Sequence, residues 1–292
     1  MSRKRVVVTS ASGVQSRAVI TALAAAGHDV AGLTRGGEKA ALVQAAGAAA
    51  VVADPLRPDK LAAALEGAQV VVFTPPVDYR PGVREALAEA LALAARSAGV
   101  GRLILNSGAY AFEIYDRPVS ATLRAVREIL GSSGVPLTVL HSTVYMENLL
   151  GPWAQEGLAH GRLAYPLPAD VKVSWISHRT LGAAVAAAAD RQDGEGETYL
   201  LGGRQALTLC EVADVLARHL GRQVVAEAMS PDAFAAVLHG HLNPPAAQGV
   251  ADYYRAVARF PDALAHSDLA RLGVQAEALE DWASRQPWSL AR

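Results

Sequence analysis

Over its first 140 residues the chain alternates between two periods. Short β-branched and aliphatic runs at Arg5–Thr9, Asp29–Leu33, Ala49–Val52, Gln69–Phe73, Arg102–Leu105 and Leu137–Leu140 alternate with Ala/Leu-rich stretches at 14–26, 38–46, 58–65, 82–98 and 119–132. The apolar residues of the longer stretches recur at helical spacing, and strands separated by helices of this length predict right-handed βαβ units and a parallel sheet. Several strand runs are apolar on both faces, as a sheet covered by helices on both sides requires. Gly27, Gly47, Gly67, Gly99 and Gly134 each stand between a predicted helix and the next strand, where a left-handed C-cap residue belongs. The expected fold class is α/β, with a doubly wound parallel sheet.

Beyond Ser142 the rhythm loosens. Pro152, Pro166 and Pro168 interrupt the chain, and a strand–helix unit then returns at Val171–Ile176 and Thr180–Ala189. Thr198–Leu201 and Val224–Ala228 read as further strands, and Thr208 with Glu211 three residues on forms a capping box that opens a helix. Helical stretches at 231–239, 246–259 and 276–285 finish the chain. The expected organisation is a first domain over 1–145 and a smaller α/β lobe over 146–292, with 171–202 returning to the first sheet. The crevice between the lobes is the expected ligand site.

Composition narrows the function. The 292 residues carry 27 basic and 28 acidic side chains for a net charge of −1, so no overall positive field favours nucleic acid or an anionic membrane. Sixty residues are Ala, yet the larger apolar residues still suffice for a globular core. The single cysteine, Cys210, excludes an intramolecular disulfide and a multi-cysteine metal site. The apolar run Val6–Val8 ends at Thr9-Ser10, too short for a signal peptide, and no stretch approaches the roughly 18 apolar residues of a membrane span. A soluble, cytoplasmic protein is expected, acting on a small molecule; its oligomeric state is not encoded legibly.

The first strand leads into Thr9-Ser10-Ala11-Ser12-Gly13-Val14-Gln15-Ser16. A dinucleotide site sets pyrophosphate on backbone amides at a helix N-terminus, usually with three glycines. Here only the middle one, Gly13, is present, with Ser10 and Ser16 at the flanking places. Ser10 in a positive-φ turn costs of order 1 kcal/mol relative to glycine. Arg35 ends the second strand about 20 residues past the loop, where an arginine accommodates the 2′-phosphate of NADP and an acidic residue the ribose of NAD. The expected cofactor is NADP(H).

These features, with Gly27-His28-Asp29-Val30, Asp54, Thr74-Pro75-Pro76, Ala98-Gly99-Val100, Gly134–Leu140 and Tyr145-Met146-Glu147-Asn148, resemble the NmrA-like group of atypical short-chain dehydrogenases/reductases over most of residues 5–150. The resemblance implies a Rossmann domain with a substrate crevice over the nicotinamide. It implies that Gly13 and its neighbours Thr9, Ser10, Ser12, Val14 and Gln15 hold the phosphates, Arg35 the 2′-phosphate, Asp54 the adenine edge and Thr74–Pro76 the adenosine side, with Ser107 added to the cofactor set. Its activities include reduction of quinones, imines, dyes and phenylpropanoids, and some members only sense the nucleotide.

The chain lacks the Tyr-x-x-x-Lys dyad of ordinary short-chain reductases: none of its four lysines, Lys4, Lys39, Lys60 and Lys172, follows a tyrosine by four residues. Hydride transfer without that dyad suits an activated, quinone-like, conjugated or aromatic acceptor. Among Tyr110, Tyr115, Asp116, His141 and Tyr145, the favoured catalytic candidates are His141, Tyr110 and Tyr145, His141 because it follows the crevice strand and imidazole titrates near neutrality. His178 reads as a structural residue at a helix start. His239 and His241 lack a third nearby ligand, so no metal is expected. The leading reading is an NADPH-dependent reductase; a non-redox cyclase, isomerase or epimerase on the same fold, or a non-catalytic NADP(H) sensor, stay open at this point.

Overall fold

In a computed structural model of the protein, residues 3–108, 118–193 and 196–288 are described. The first half runs β1 (Arg5–Val8), α1 (Val14–Ala25), β2 (Asp29–Thr34), α2 (Ala40–Ala45), β3 (Ala49–Val52), α3 (Pro58–Ala64), β4 (Val70–Phe73), α4 (Val83–Ser97), β5 (Arg102–Asn106), α5 (Pro118–Gly131) and β6 (Leu137–Ser142). The second runs α6 (Pro152–Ala159), β7 (Arg162–Tyr165), β8 (Val173–Ser174), α7 (His178–Asp190), β9 (Thr198–Leu201), β10 (Ala206–Leu207), α8 (Leu209–Leu220), β11 (Val225–Ala228), α9 (Pro231–Leu238), α10 (Pro244–Arg259) and α11 (Leu279–Ser284).

Seven strands form one sheet in the order β3-β2-β1-β4-β5-β6-β9, every pairing parallel. This is the doubly wound Rossmann arrangement, and the chain changes direction across the sheet between β1 and β4. Alternation along the strands fills both faces. Val6 and Val8 of β1 pack with Ile20 and Leu23 of α1 and with Leu181 and Val185 of α7. Val7, between them, packs with Leu61 of α3 and Leu91 of α4 on the opposite face. The five interelement glycines all take positive φ, from +66° at Gly99 to +102° at Gly47, as their positions before strands predict.

The second half of the chain departs from the expected pattern. Only Val173–Ser174 of the Val171–Ile176 run is a strand, and it pairs antiparallel with β10 instead of joining the main sheet. Val171, Val173 and Trp175 are drawn into the core of the second lobe. There Tyr165, Phe234 and Tyr254 pack ring against ring, with Trp175 5.3 Å from Tyr165. Helix α7 and β9 do return to the first sheet, α7 beside α1 and β9 beside β6. Helix α7 lies so close to α1 that a Cβ on Gly182 would stand 2.7 Å from the Ala18 carbonyl oxygen. Strand β7 has no counterpart in the sequence reading; it pairs in parallel with β11. No helix among the described residues is long and apolar enough to cross a membrane.

Candidate functional site

All seven parallel strands end on the same side, so the loops after β1, β2, β4, β5 and β6 lie along one edge of the sheet. Helix α1 opens there. Ser10 adopts φ +48°, the one left-handed residue other than glycine among the described residues, and its hydroxyl donates to the Thr74 carbonyl at 3.0 Å. That bond turns the side chain toward the β4 loop. The Thr74 amide donates in return to Thr9 Oγ1 at 3.3 Å, so the loops after β1 and β4 are stitched together where the strand order reverses.

Gly13 caps α1 with extended backbone, φ −68°, so its conformation does not require glycine. A Cβ there would lie 3.2 Å from the Ser10 carbonyl oxygen. Beyond it, no protein group among the described residues accepts a hydrogen bond from the amides of Val14, Gln15 or Ser16, and the first turn of α1 holds no acidic side chain. These amides and the helix dipole leave the loop selective for an anion.

Two serines replace the outer glycines, and the structure shows what takes over their packing. Ser16 is buried and donates to the Thr9 carbonyl at 3.2 Å. Close approach of loop, helix and sheet is supplied by Gly32 in β2, where a Cβ would fall 2.7 Å from Ala11 Cβ and 2.5 Å from Val43 Cγ1. Sequence reasoning passed over Gly32, although a glycine inside a predicted strand is the signal of such an approach.

Strands β5 and β6 supply the opposite wall. Gln15 reaches across from α1, and its Oε1 accepts from Asn106 Nδ2 at 3.1 Å and from the Tyr145 hydroxyl at 3.2 Å. Burial pushes the Tyr145 phenol up to about 12, so it stays protonated at neutral pH. Next to it, the Ser107 amide donates to the Leu140 carbonyl at 3.0 Å, which sets Ser107 alongside His141. Ser107 Oγ and His141 Nδ1 share a hydrogen bond. His141 is 1% exposed whereas Ser107 is half-buried, so the serine is the accessible member of the pair.

Behind Tyr145 lies a half-buried acid–imidazole pair. Glu147 Oε1 accepts from the His178 amide at 3.0 Å and from Trp282 Nε1 at 3.2 Å, which ties α11 to the site. The His178 ring meets the Tyr145 ring edge-on, centroids 4.9 Å apart, and His178 Nε2 stands 3.8 Å from Glu147 Oε2. Burial lowers His178 to about 4 and raises Glu147 above the ordinary carboxylate value, so both are pushed toward neutrality.

The residues singled out from sequence differ in access. Arg35 and Asp54 are exposed at the ends of β2 and β3, the latter accepting from the Leu56 amide at 3.0 Å. Pro75 and Thr74 are half-buried, and Thr74 Oγ1 is a buried oxygen with no hydrogen-bond partner among the described residues. Tyr110, with Tyr115 and Asp116, lies outside the described residues. Asn106 was missed, because an isolated Asn at a strand end carries no signal until its partner is known. His178, expected only to start a helix, does so and also lines the wall behind Tyr145. Among the described residues no cluster of three or more His, Cys, Asp or Glu could hold a metal.

The model of the NmrA-like family matches residues 2–261. The NAD(P)H azoreductase of Xenophilus azovorans is 30% identical over 220 residues, 75% of each chain. Quinone oxidoreductase 2 of Escherichia coli strain K12 is 32% identical over 111 residues, 38% of each chain. Among solved structures, the triphenylmethane reductase of Citrobacter sp. complexed with NADP(H) superposes with a TM-score of 0.82 at 22% identity, covering 96% of this chain and 99% of that one. An NADPH-dependent quinone oxidoreductase from Escherichia coli does so at 0.80 and 24%, covering 96% and 98%.

Proposed function

This chain belongs to the NmrA-like family, and we propose that it is an NADPH-dependent reductase of a conjugated, quinone-like or aromatic small molecule. The observation that carries this reading is the mouth of α1. Among the described residues nothing accepts from the amides of Val14, Gln15 and Ser16, the first turn of α1 carries no carboxylate, and the Ser10 hydroxyl is turned away to Thr74. The donor set thus fits a pyrophosphate in spite of the two serines. The similarity to an NAD(P)H azoreductase and to quinone oxidoreductase 2 supports the acceptor class.

In this assignment the amides of Val14, Gln15 and Ser16 hold the phosphates, with Thr9, Ser10, Ser12 and Gly13 shaping the loop. Arg35, exposed at the end of β2, takes the 2′-phosphate; Asp54, Thr74 and Pro75 border the adenosine side. A bound reduced nicotinamide supplies the hydride. Gln15 and Asn106 fix the position of Tyr145. Tyr145 and Ser107 line the wall from which a proton reaches the acceptor, and Ser107 is hydrogen-bonded to the buried His141.

The test compares NADPH and NADH binding, by quenching of protein fluorescence, in the wild type and Arg35→Ala. A charge-assisted phosphate contact worth about 1.5–3 kcal/mol should cost roughly tenfold or more of the preference for NADPH. Absence of NADPH binding to the wild type refutes the reading. Tight binding with no NADPH consumption on quinone, azo and triarylmethane acceptors replaces it with the sensor role.

A further inference from the structure

We propose that Ser107, with His141 behind it, delivers the proton that the acceptor needs, and that this pair does the work of the missing tyrosine–lysine dyad. The inference rests on the reductase reading above and deepens it. It starts from access. His141 is 1% exposed and does not reach a substrate, whereas Ser107 is half-buried at the end of β5 and shares a hydrogen bond with His141 Nδ1. The backbone fixes the pair, because the bond from the Ser107 amide to the Leu140 carbonyl sets the two residues side by side on adjacent parallel strands.

Among the described residues, the other protic groups on this wall are engaged elsewhere. The Tyr145 hydroxyl donates to Gln15 Oε1, and burial makes its phenol a weak acid. His178 packs its ring against Tyr145, and burial keeps that imidazole neutral. Glu147 Oε1 already accepts from the His178 amide and from Trp282. Among the described residues, Ser107–His141 is the pair on this wall in which an accessible hydroxyl is hydrogen-bonded to an imidazole nitrogen.

The step balances as follows for a quinone. After accepting hydride from the reduced nicotinamide dinucleotide, which becomes oxidised, the quinone is a hydroquinone monoanion. The Ser107 O–H bond breaks as an O–H bond forms on the anionic oxygen. At the same time the His141 Nδ1–H bond breaks, the Ser107 O–H bond is restored, and a proton from solvent replaces the one that the ring gives up. Ser107 is thus the catalytic residue, and His141 acts through it.

Acceptor chemistry supplies the test. A quinone needs hydride and a proton, whereas a cationic triarylmethane dye takes hydride at its central carbon and needs no proton. The kcat for 1,4-naphthoquinone and for malachite green is measured with NADPH for the wild type, Ser107→Ala, Ser107→Thr and His141→Gln. General acid catalysis is worth about 10²–10⁴-fold where proton transfer limits the rate. The quinone-to-dye ratio of kcat is therefore expected to fall at least tenfold in Ser107→Ala and in His141→Gln, and to recover in Ser107→Thr, which keeps a hydroxyl. A ratio that stays at the wild-type value in Ser107→Ala overturns the relay, however far both rates fall together. Ser107 is half-buried, so its variant keeps the test open if His141→Gln does not fold. A wild type that reduces neither acceptor sinks the reductase reading itself, a distinguishable failure.

Discussion

Burial of His178 makes the stability of this protein depend on pH in a calculable way. Its imidazole is held at about 4 in the folded chain because burial disfavours the charged form. An unfolded chain restores it to about 6.5. Above pH 6.5 the ring is neutral in both states and contributes no pH dependence. Between 6.5 and 4 the unfolded chain binds the proton and the folded chain does not, so stability falls as the pH drops through this window and levels off below it. From pH 7 to pH 5 the loss comes to roughly 2 kcal/mol. Glu147 acts with the opposite sign, because burial raises its carboxyl and the folded state then takes up a proton more readily than the unfolded one. His178→Phe isolates the imidazole: the aromatic contact with Tyr145 survives, and so does the donation to Glu147, which comes from the backbone amide. Urea unfolding followed by tryptophan fluorescence at pH 7 and pH 5 gives the drop for each protein. The wild-type drop should exceed that of the variant by about 2 kcal/mol. Equal drops would show that His178 is protonated in the folded state and that burial does not govern it.

Two further outcomes follow from the packing of the loop and the bridge across the crevice. Gly32→Ala places a Cβ against Ala11 and Val43 and should destabilise the protein by about 1–3 kcal/mol, read as a lowered melting temperature. An unchanged melting temperature would mean that Gly32 does not supply the close approach that the loop serines forgo. Gln15→Leu strands the Asn106 amide and the Tyr145 hydroxyl without their acceptor and should cost about 1–3 kcal/mol. Gln15→Leu combined with Tyr145→Phe should recover part of that loss, and a double-mutant cycle showing strict additivity would contradict the bridge.

The sequence by itself determined the doubly wound sheet and where its loops converge. Strand and helix periods are local properties, and the five interelement glycines mark each turn without reference to distant residues. The same locality made Ser10 legible as a positive-φ position and Arg35 as the end of the second strand. Tertiary structure alone decided which partners meet. Val173 and Trp175 read as part of a strand of the main sheet, but the aromatic core around Tyr165 holds them in the second lobe. Asn106 and Gln15, 91 positions apart, become neighbours only because β1 and β5 lie in one sheet and α1 crosses toward β5. His141, chosen from sequence for its place after a strand, is shielded by Ser107, and a side chain's access to a crevice is a property of packing that no local pattern encodes. Periodicity sets which segments form the scaffold, whereas hydrogen bonds and burial between segments far apart in the chain set the chemistry at its edge.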